Sequence, residues 1–139
     1  MSRLNHPVFM ITIAIGAFAL GLAARMAKAQ DPVTVDPENY KVLFEDSDVR
    51  VLRYDDTPGH FVPKHTHPYP YRVYVITPAI REFLSLDAEG KDCQKAAVPT
   101  KLFANDELMR PPVTHCEANI GTTPTHLILF EFKKQAPAP

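Results

Sequence analysis

Gly59-His60-Phe61-Val62-Pro63-Lys64-His65-Thr66-His67-Pro68 is answered about fifty positions later by His115-Cys116-Glu117-Ala118-Asn119. In a β-strand, side chains two apart share a face, so His65 and His67 present two imidazoles side by side while Thr66 turns away. A third imidazole from His115, brought in on another strand, would complete a three-nitrogen face and leave further positions on a divalent ion open to water or substrate. Strict alternation puts Phe61, Pro63, His65 and His67 on one face and His60, Val62 and Lys64 on the other, which removes His60 from the set. On the second stretch His115, Glu117 and Asn119 share a face. A carboxylate and an amide are therefore aimed into the same space, where they could fix an imidazole tautomer or hold a bound water.

Outward from this pair of motifs, runs rich in Val, Ile, Leu, Phe and Tyr recur at short intervals from Tyr40 onward, separated by Asp, Gly and Pro clusters. This is the spacing of an all-β sandwich or barrel. Strands are expected over Tyr40–Glu45, Val49–Tyr54, Phe61–His67, Arg72–Thr77, Arg81–Leu86, Lys91–Ala97, Asp106–Arg110, Val113–Asn119 and Thr125–Lys133. Closure into a barrel would hide their edges. Turns fall at Asp55-Asp56-Thr57-Pro58-Gly59, Asp87-Ala88-Glu89-Gly90 and Gly121-Thr122-Thr123-Pro124, which favours antiparallel neighbours.

The first 29 residues are of a different character. An apolar run from Val8 to Leu22 is followed by Ala27-Lys28-Ala29, small residues at the two positions a signal peptidase reads. The run is shorter than the ~20 residues a bilayer core requires, so it reads as a cleaved signal and not as an anchor. The organisation is then a signal peptide at 1–29, an extended lead-in at 30–39, a β-barrel domain at 40–134 and a frayed tail at 135–139. The protein is expected to be periplasmic or secreted, with no membrane association after cleavage.

The mature part keeps 12 basic and 16 acidic residues, a net charge of −4. With no lysine or arginine run it offers no footprint for nucleic acid. Its 110 residues suit one modest core, for which homodimerisation would be a common supplement. Cys93 and Cys116 sit in a chain read as exported, where a disulfide could persist. Cys116 should face away from His115, so a bridge behind the metal strand fits; two unrelated buried thiols are the alternative.

The arrangement Gly-x5-His-x-His followed by His-x3-Asn resembles the cupin superfamily, in which the first motif continues with a glutamate and a glycine. Gly59, His65 and His67 match the first motif; His115 and Asn119 match the second. The likeness runs from about Glu38 to Lys134. It implies a single-domain jelly-roll β-barrel with one divalent metal inside, held by His65, His67 and His115, and a small-molecule ligand or substrate. Where the family has its glutamate ligand, this chain has Tyr71 and Arg72. Arg110-Pro111-Pro112-Val113-Thr114 stands where glycines and a proline are expected.

A site of three neutral imidazoles leaves the ion its full charge and suits Fe, Mn, Zn, Ni or Cu. It favours polarisation of an oxygen-rich or anionic molecule. Similar three-histidine cupins include iron-dependent dioxygenases. Tyr71 could bond a bound oxygen species or simply pack in the wall, Glu117 could take part in catalysis, and Arg72 and Arg110 could each clamp a substrate carboxylate. Asn119 would support the ligands, while His126 reads as packing or rim. The exported protein should begin at Gln30, which mass spectrometry of material from the export compartment will check; an intact Met1 would restore the membrane anchor.

Overall fold

The computed structural model describes residues 30–94 and 99–134, so the expected signal peptide and tail lie outside the described residues. Nine strands form: β1 Tyr40–Glu45, β2 Val49–Asp56, β3 Phe61–His67, β4 Tyr71–Val75, β5 Ala79–Leu84, β6 Thr100–Leu102, β7 Glu107–Arg110, β8 Val113–Asn119 and β9 Thr125–Phe132. They make two antiparallel sheets, one in the order β1-β2-β9-β4-β7 and the other in the order β3-β8-β5-β6. The alternation is cleanest in β9, where Thr125, Leu127, Leu129 and Glu131 are buried and the residues between them are not. Leu52, Tyr54, Val62, Val73, Val75, Leu102, Leu127 and Leu129 meet in one core. The all-β jelly-roll expectation holds.

Three local expectations are overturned. The lead-in is not wholly extended, because Asp31 caps a single helical turn at Pro32–Val35. Its Oδ1 accepts from the Val33 N–H at 3.0 Å. Aspartate followed by proline is a helix start, as the carboxylate takes an orphan N–H and proline has none to lose. No strand runs through Lys91–Gln94, which makes only an isolated bridge between Leu86 and Cys93; the rest of that expected strand falls at 95–98, outside the described residues. Instead the short strand β6 follows, too brief to leave a pattern in the sequence.

The third concerns β3. Phe61 and Pro63 point outward, and Val62 is fully buried together with His65 and His67. Val62 lies opposite Glu117 and His65 opposite His115, so three residues of β3 span two of β8. The extra residue is a β-bulge, which switches the inward phase between Val62 and His65.

β3 and β8 are tied at one end by backbone bonds. Gly59 N–H donates to the Asn119 carbonyl and Asn119 N–H to the His60 carbonyl, both at 2.9 Å. Gly59 takes φ +84°, a conformation that costs glycine little and other residues much. On the other side β3 is an edge strand, and the N-terminal segment covers it: Thr66 N–H donates to the Gln30 carbonyl at 2.7 Å.

Cys93 and Cys116 form a disulfide with Cα atoms 6.0 Å apart, 23 positions apart in sequence. A loop of that length constrains the unfolded chain by about 3 kcal/mol. The double substitution Cys93→Ser with Cys116→Ser is therefore expected to lower unfolding free energy by about 3 kcal/mol in a denaturant titration, matched by the reduced wild type.

Candidate metal centre

His65 and His67 come from β3 and His115 from the directly opposed position on β8. All three are buried, and each offers one ring nitrogen within 4.8 Å of the others. The rings tilt against one another, with centroids 4.6 Å apart for His65 and His115 and 5.1 Å for His65 and His67.

The tautomers follow from the partners. His65 Nδ1 lies 2.9 Å from the Pro63 carbonyl, which can only accept, so Nδ1 carries the hydrogen and Nε2 the lone pair. His67 Nδ1 donates to Glu131 Oε1 at 2.7 Å, which leaves its Nε2 lone pair free as well. The Nε2 atoms of His65 and His115 are buried without any hydrogen-bond partner. An unpaired buried acceptor is costly, and a convergent pair of them beside a third imidazole is what a divalent ion relieves. The residues thus fit the ion that their pattern implies.

Charge around the imidazoles is compensated by two buried networks. In the first, Arg81, fully buried, donates from Nη1 to Asp56 Oδ2 at 2.7 Å and from Nη2 to the Tyr54 hydroxyl at 3.0 Å, and lies 3.3 Å from Glu117 Oε2. The Tyr40 hydroxyl donates to Glu117 Oε1 at 2.6 Å. Burial alone would push the Glu117 carboxyl up, but Arg81, the nearby imidazoles and the Tyr40 bond outweigh it and hold the group well below the usual range. Glu117 is therefore a negative charge fixed beside the imidazoles by Arg81 and Tyr40.

In the second network Glu131 is held between His67 and Arg50, whose Nε donates to Oε2 at 2.7 Å. Burial raises the Glu131 carboxyl, and the bonds from His67 and Arg50 more than reverse this. Neither Glu131 nor Arg50 was singled out from sequence. The available signal was a glutamate on the inward phase of an otherwise apolar strand.

Tyr71 stacks on His67 with centroids 4.5 Å apart and lines the cavity; burial pushes its hydroxyl up, so it stays protonated. Arg110 lies over the Phe83 ring at 5.8 Å, and Phe83 stacks on His115. Among the described residues it is the one arginine without an acidic partner. Arg72, by contrast, pairs with Glu107 on the surface at 2.8 Å and does not reach the cavity.

Asn119 is also displaced from its expected role. Its amide nitrogen faces Asp56 Oδ1, the Thr123 carbonyl and Thr125 Oγ1, and its oxygen accepts from Gly121 N–H, so it braces a turn and a buried acid and not an imidazole. His60 is bound to Asp36 and Asn39 outside the cluster, and His126 sits at the rim beside Asp55, both as expected. The cavity beside the histidines is small, about 20 Å³, with mainly apolar walls from Val73, Phe83, Leu108 and Leu129. Tyr71, Phe83 and Arg110 also line an outer vestibule of about 320 Å³.

No protein-family model and no curated protein matches the chain. Among solved structures, a cupin domain from Bordetella pertussis superposes with a TM-score of 0.57 at 22% identity, covering 68% of this chain and 91% of that one. The chain has the cupin fold. A Klebsiella pneumoniae protein with a double-stranded β-helix domain gives a TM-score of 0.50 at 22% identity, covering 70% of this chain and 78% of that one. The DMSP lyase DddQ from Ruegeria pomeroyi gives 0.50 at 13% identity, covering 74% of this chain and 51% of that one. At such identities the likeness concerns the cupin fold alone.

Burial drives the His115 imidazole down to about 3; Glu117 pulls it up and the two neighbouring imidazoles push it down. Burial lowers His65 too. In the unfolded chain both titrate near 6.5. As pH falls below about 6.5 the unfolded state takes up protons the folded state refuses, so stability present above that pH is lost progressively toward about 3. The metal-free protein is expected to show a falling thermal midpoint between about pH 7 and pH 5, above the carboxylate range, and His115→Asn is expected to flatten that slope in differential scanning fluorimetry.

Proposed function

We propose that this protein is an exported cupin that binds one divalent metal ion through the Nε2 atoms of His65, His67 and His115 and takes a small oxygen-bearing molecule into the adjoining cavity. The observation that carries the reading is the pair of buried, unpartnered Nε2 atoms on His65 and His115 beside the correctly protonated His67. The donor set is neutral and all imidazole, suited to Fe, Mn, Zn, Ni or Cu. A bound ion would supply Lewis acidity and open positions for an oxygen donor.

The chain's own residues define the rest of the ligand. Arg110 at the cavity mouth offers an uncommitted guanidinium fork, which matches a carboxylate. The inner space is narrow and apolar-walled, so a small carboxylate whose apolar or aromatic body rests in the vestibule against Phe83 and Pro111 is favoured. Among the described residues the Tyr71 hydroxyl has no hydrogen-bond partner, and it lines that space as a donor. Of the pocket's other polar groups, Tyr40 donates to Glu117, whose carboxyl Arg81 holds below the usual range, and burial pushes the Tyr71 hydroxyl up. Turnover at this site would use the open positions of the metal, and the same facts support a second reading in which the site captures its ligand without changing it.

Metal analysis of protein purified from its export compartment tests the central claim. One equivalent of a divalent ion is expected in wild type, and His65→Ala is expected to lower affinity by at least the 10–100-fold that even supporting residues cost; unchanged stoichiometry would refute the site. Arg110→Gln should keep the metal and weaken benzoate by about tenfold, with benzamide unaffected, because a hydrogen bond to a charged group contributes about 1.5–3 kcal/mol. Equal benzoate binding by both proteins would remove Arg110 from the ligand site.

A further inference from the structure

An unbroken line of buried charge joins the N-terminal segment to the imidazoles. Asp31 Oδ2 accepts from Arg50 Nη1 at 2.6 Å, Arg50 Nε donates to Glu131 Oε2 at 2.7 Å, and Glu131 Oε1 accepts from His67 Nδ1 at 2.7 Å. Side-chain exposure falls along this line from 17% at Asp31 to 10% at Arg50, none at Glu131 and 2% at His67. The four residues come from a helix cap, β2, β9 and β3, so the line joins the N-terminal segment and both sheets.

Each oxygen of Glu131 has one charged or polar partner. The carboxylate cannot turn toward Arg50 without releasing the imidazole, and the guanidinium is held in turn by Asp31. The same N-terminal segment grips the strand that carries the histidines: besides the Gln30 carbonyl bond, Thr66 Oγ1 donates to Gln30 Oε1 at 3.1 Å, between His65 and His67. A carboxylate on the far nitrogen of a ligating imidazole fixes its tautomer and ring orientation and raises its donor strength. Two charge-assisted bonds on Glu131 hold that carboxylate in place.

We propose that Asp31, Arg50 and Glu131 are positioning residues for the metal centre, acting through His67, so that the Gln30–Asp36 segment helps to set how tightly a divalent ion is held. The inference rests on the reading that His65, His67 and His115 bind such an ion. Asp31 is the decisive link, since it touches no imidazole. Asp31→Asn keeps a competent helix cap, so the turn it starts is preserved.

The test is isothermal titration of the full protein with Zn²⁺, together with Co²⁺ absorption spectra, in wild type, Glu131→Gln and Asp31→Asn, and with Asp31→Asn repeated in a His67→Ala background. Glu131→Gln is expected to weaken Zn²⁺ by about 10–100-fold, and Asp31→Asn by a smaller factor of about 3–10, with shifted Co²⁺ bands in both. In the His67→Ala background Asp31→Asn should cause no further loss, because the two residues act along one line. The proposal is overturned if Asp31→Asn binds Zn²⁺ with wild-type affinity and spectrum while losing thermal stability, since the line would then be a structural tie only. Additive losses in the His67→Ala background overturn it as well. Wild type that binds neither ion refutes the three-histidine reading itself, and a wild type that binds both while the variants match it refutes only this inference.

Discussion

The geometry of the site depends on the register between β3 and β8. His65 lies directly opposite His115 in that ladder, and the ladder is closed at one end by the reciprocal bonds between the Gly59–His60 backbone and Asn119. A slip of one residue in either strand would carry an imidazole to the outer face. The glycine of the first motif and the asparagine of the second are therefore parts of one clasp. Gly59 supplies a backbone turn that β-carbons resist. Asn119 supplies both main-chain bonds and an amide that braces the following turn. Neither needs to approach an ion for the site to depend on it.

The interior of so small a barrel carries an unusual load of charge: Arg81, Asp56, Glu117 and Glu131 are all buried. Isolated, each would be expensive; arranged in two networks, each carboxylate meets a guanidinium. Among the imidazoles, the Nε2 atoms of His65 and His115 are left without a partner inside the protein. In each network one guanidinium serves two carboxylates, Arg81 with Asp56 and Glu117 and Arg50 with Asp31 and Glu131, so an excess of negative charge is left around the imidazoles. Removing one partner from either network would leave an uncompensated ion in the interior, which is far more damaging than never having had the pair.

Much of this was legible in the residues. The period of two placed His65 with His67 and His115 with Glu117, and the turn clusters marked all but one of the strands. The failures have physical causes. Phe61 and Pro63 were assigned inward because alternation cannot register a bulge, whose cause lies in the opposing strand. Arg72 and Arg110 looked equivalent as residue types, yet β4 turns the first outward to Glu107 and β7 leaves the second over Phe83. Asn119 shared a face with His115 but lies four residues along the strand, where its neighbours are Asp56 and Thr125. Glu131 and Arg50 are distant from both motifs in sequence, and only the pairing of β2 with β9 brings them together.

The bulge in β3 has a further consequence for how this chain can vary. Because two residues there occupy the space of one, inward orientation before and after that point is a matter of parity. A chain lacking Lys64 would run as a flat strand with Val62, His65 and His67 still facing the interior, whereas one carrying an additional residue would also restore parity but would slide Val62 two positions against β8 and away from Glu117 unless the irregularity widened. Orientation of the histidines thus constrains whether the spacing is odd or even, while the closure of Gly59 on Asn119 constrains its length.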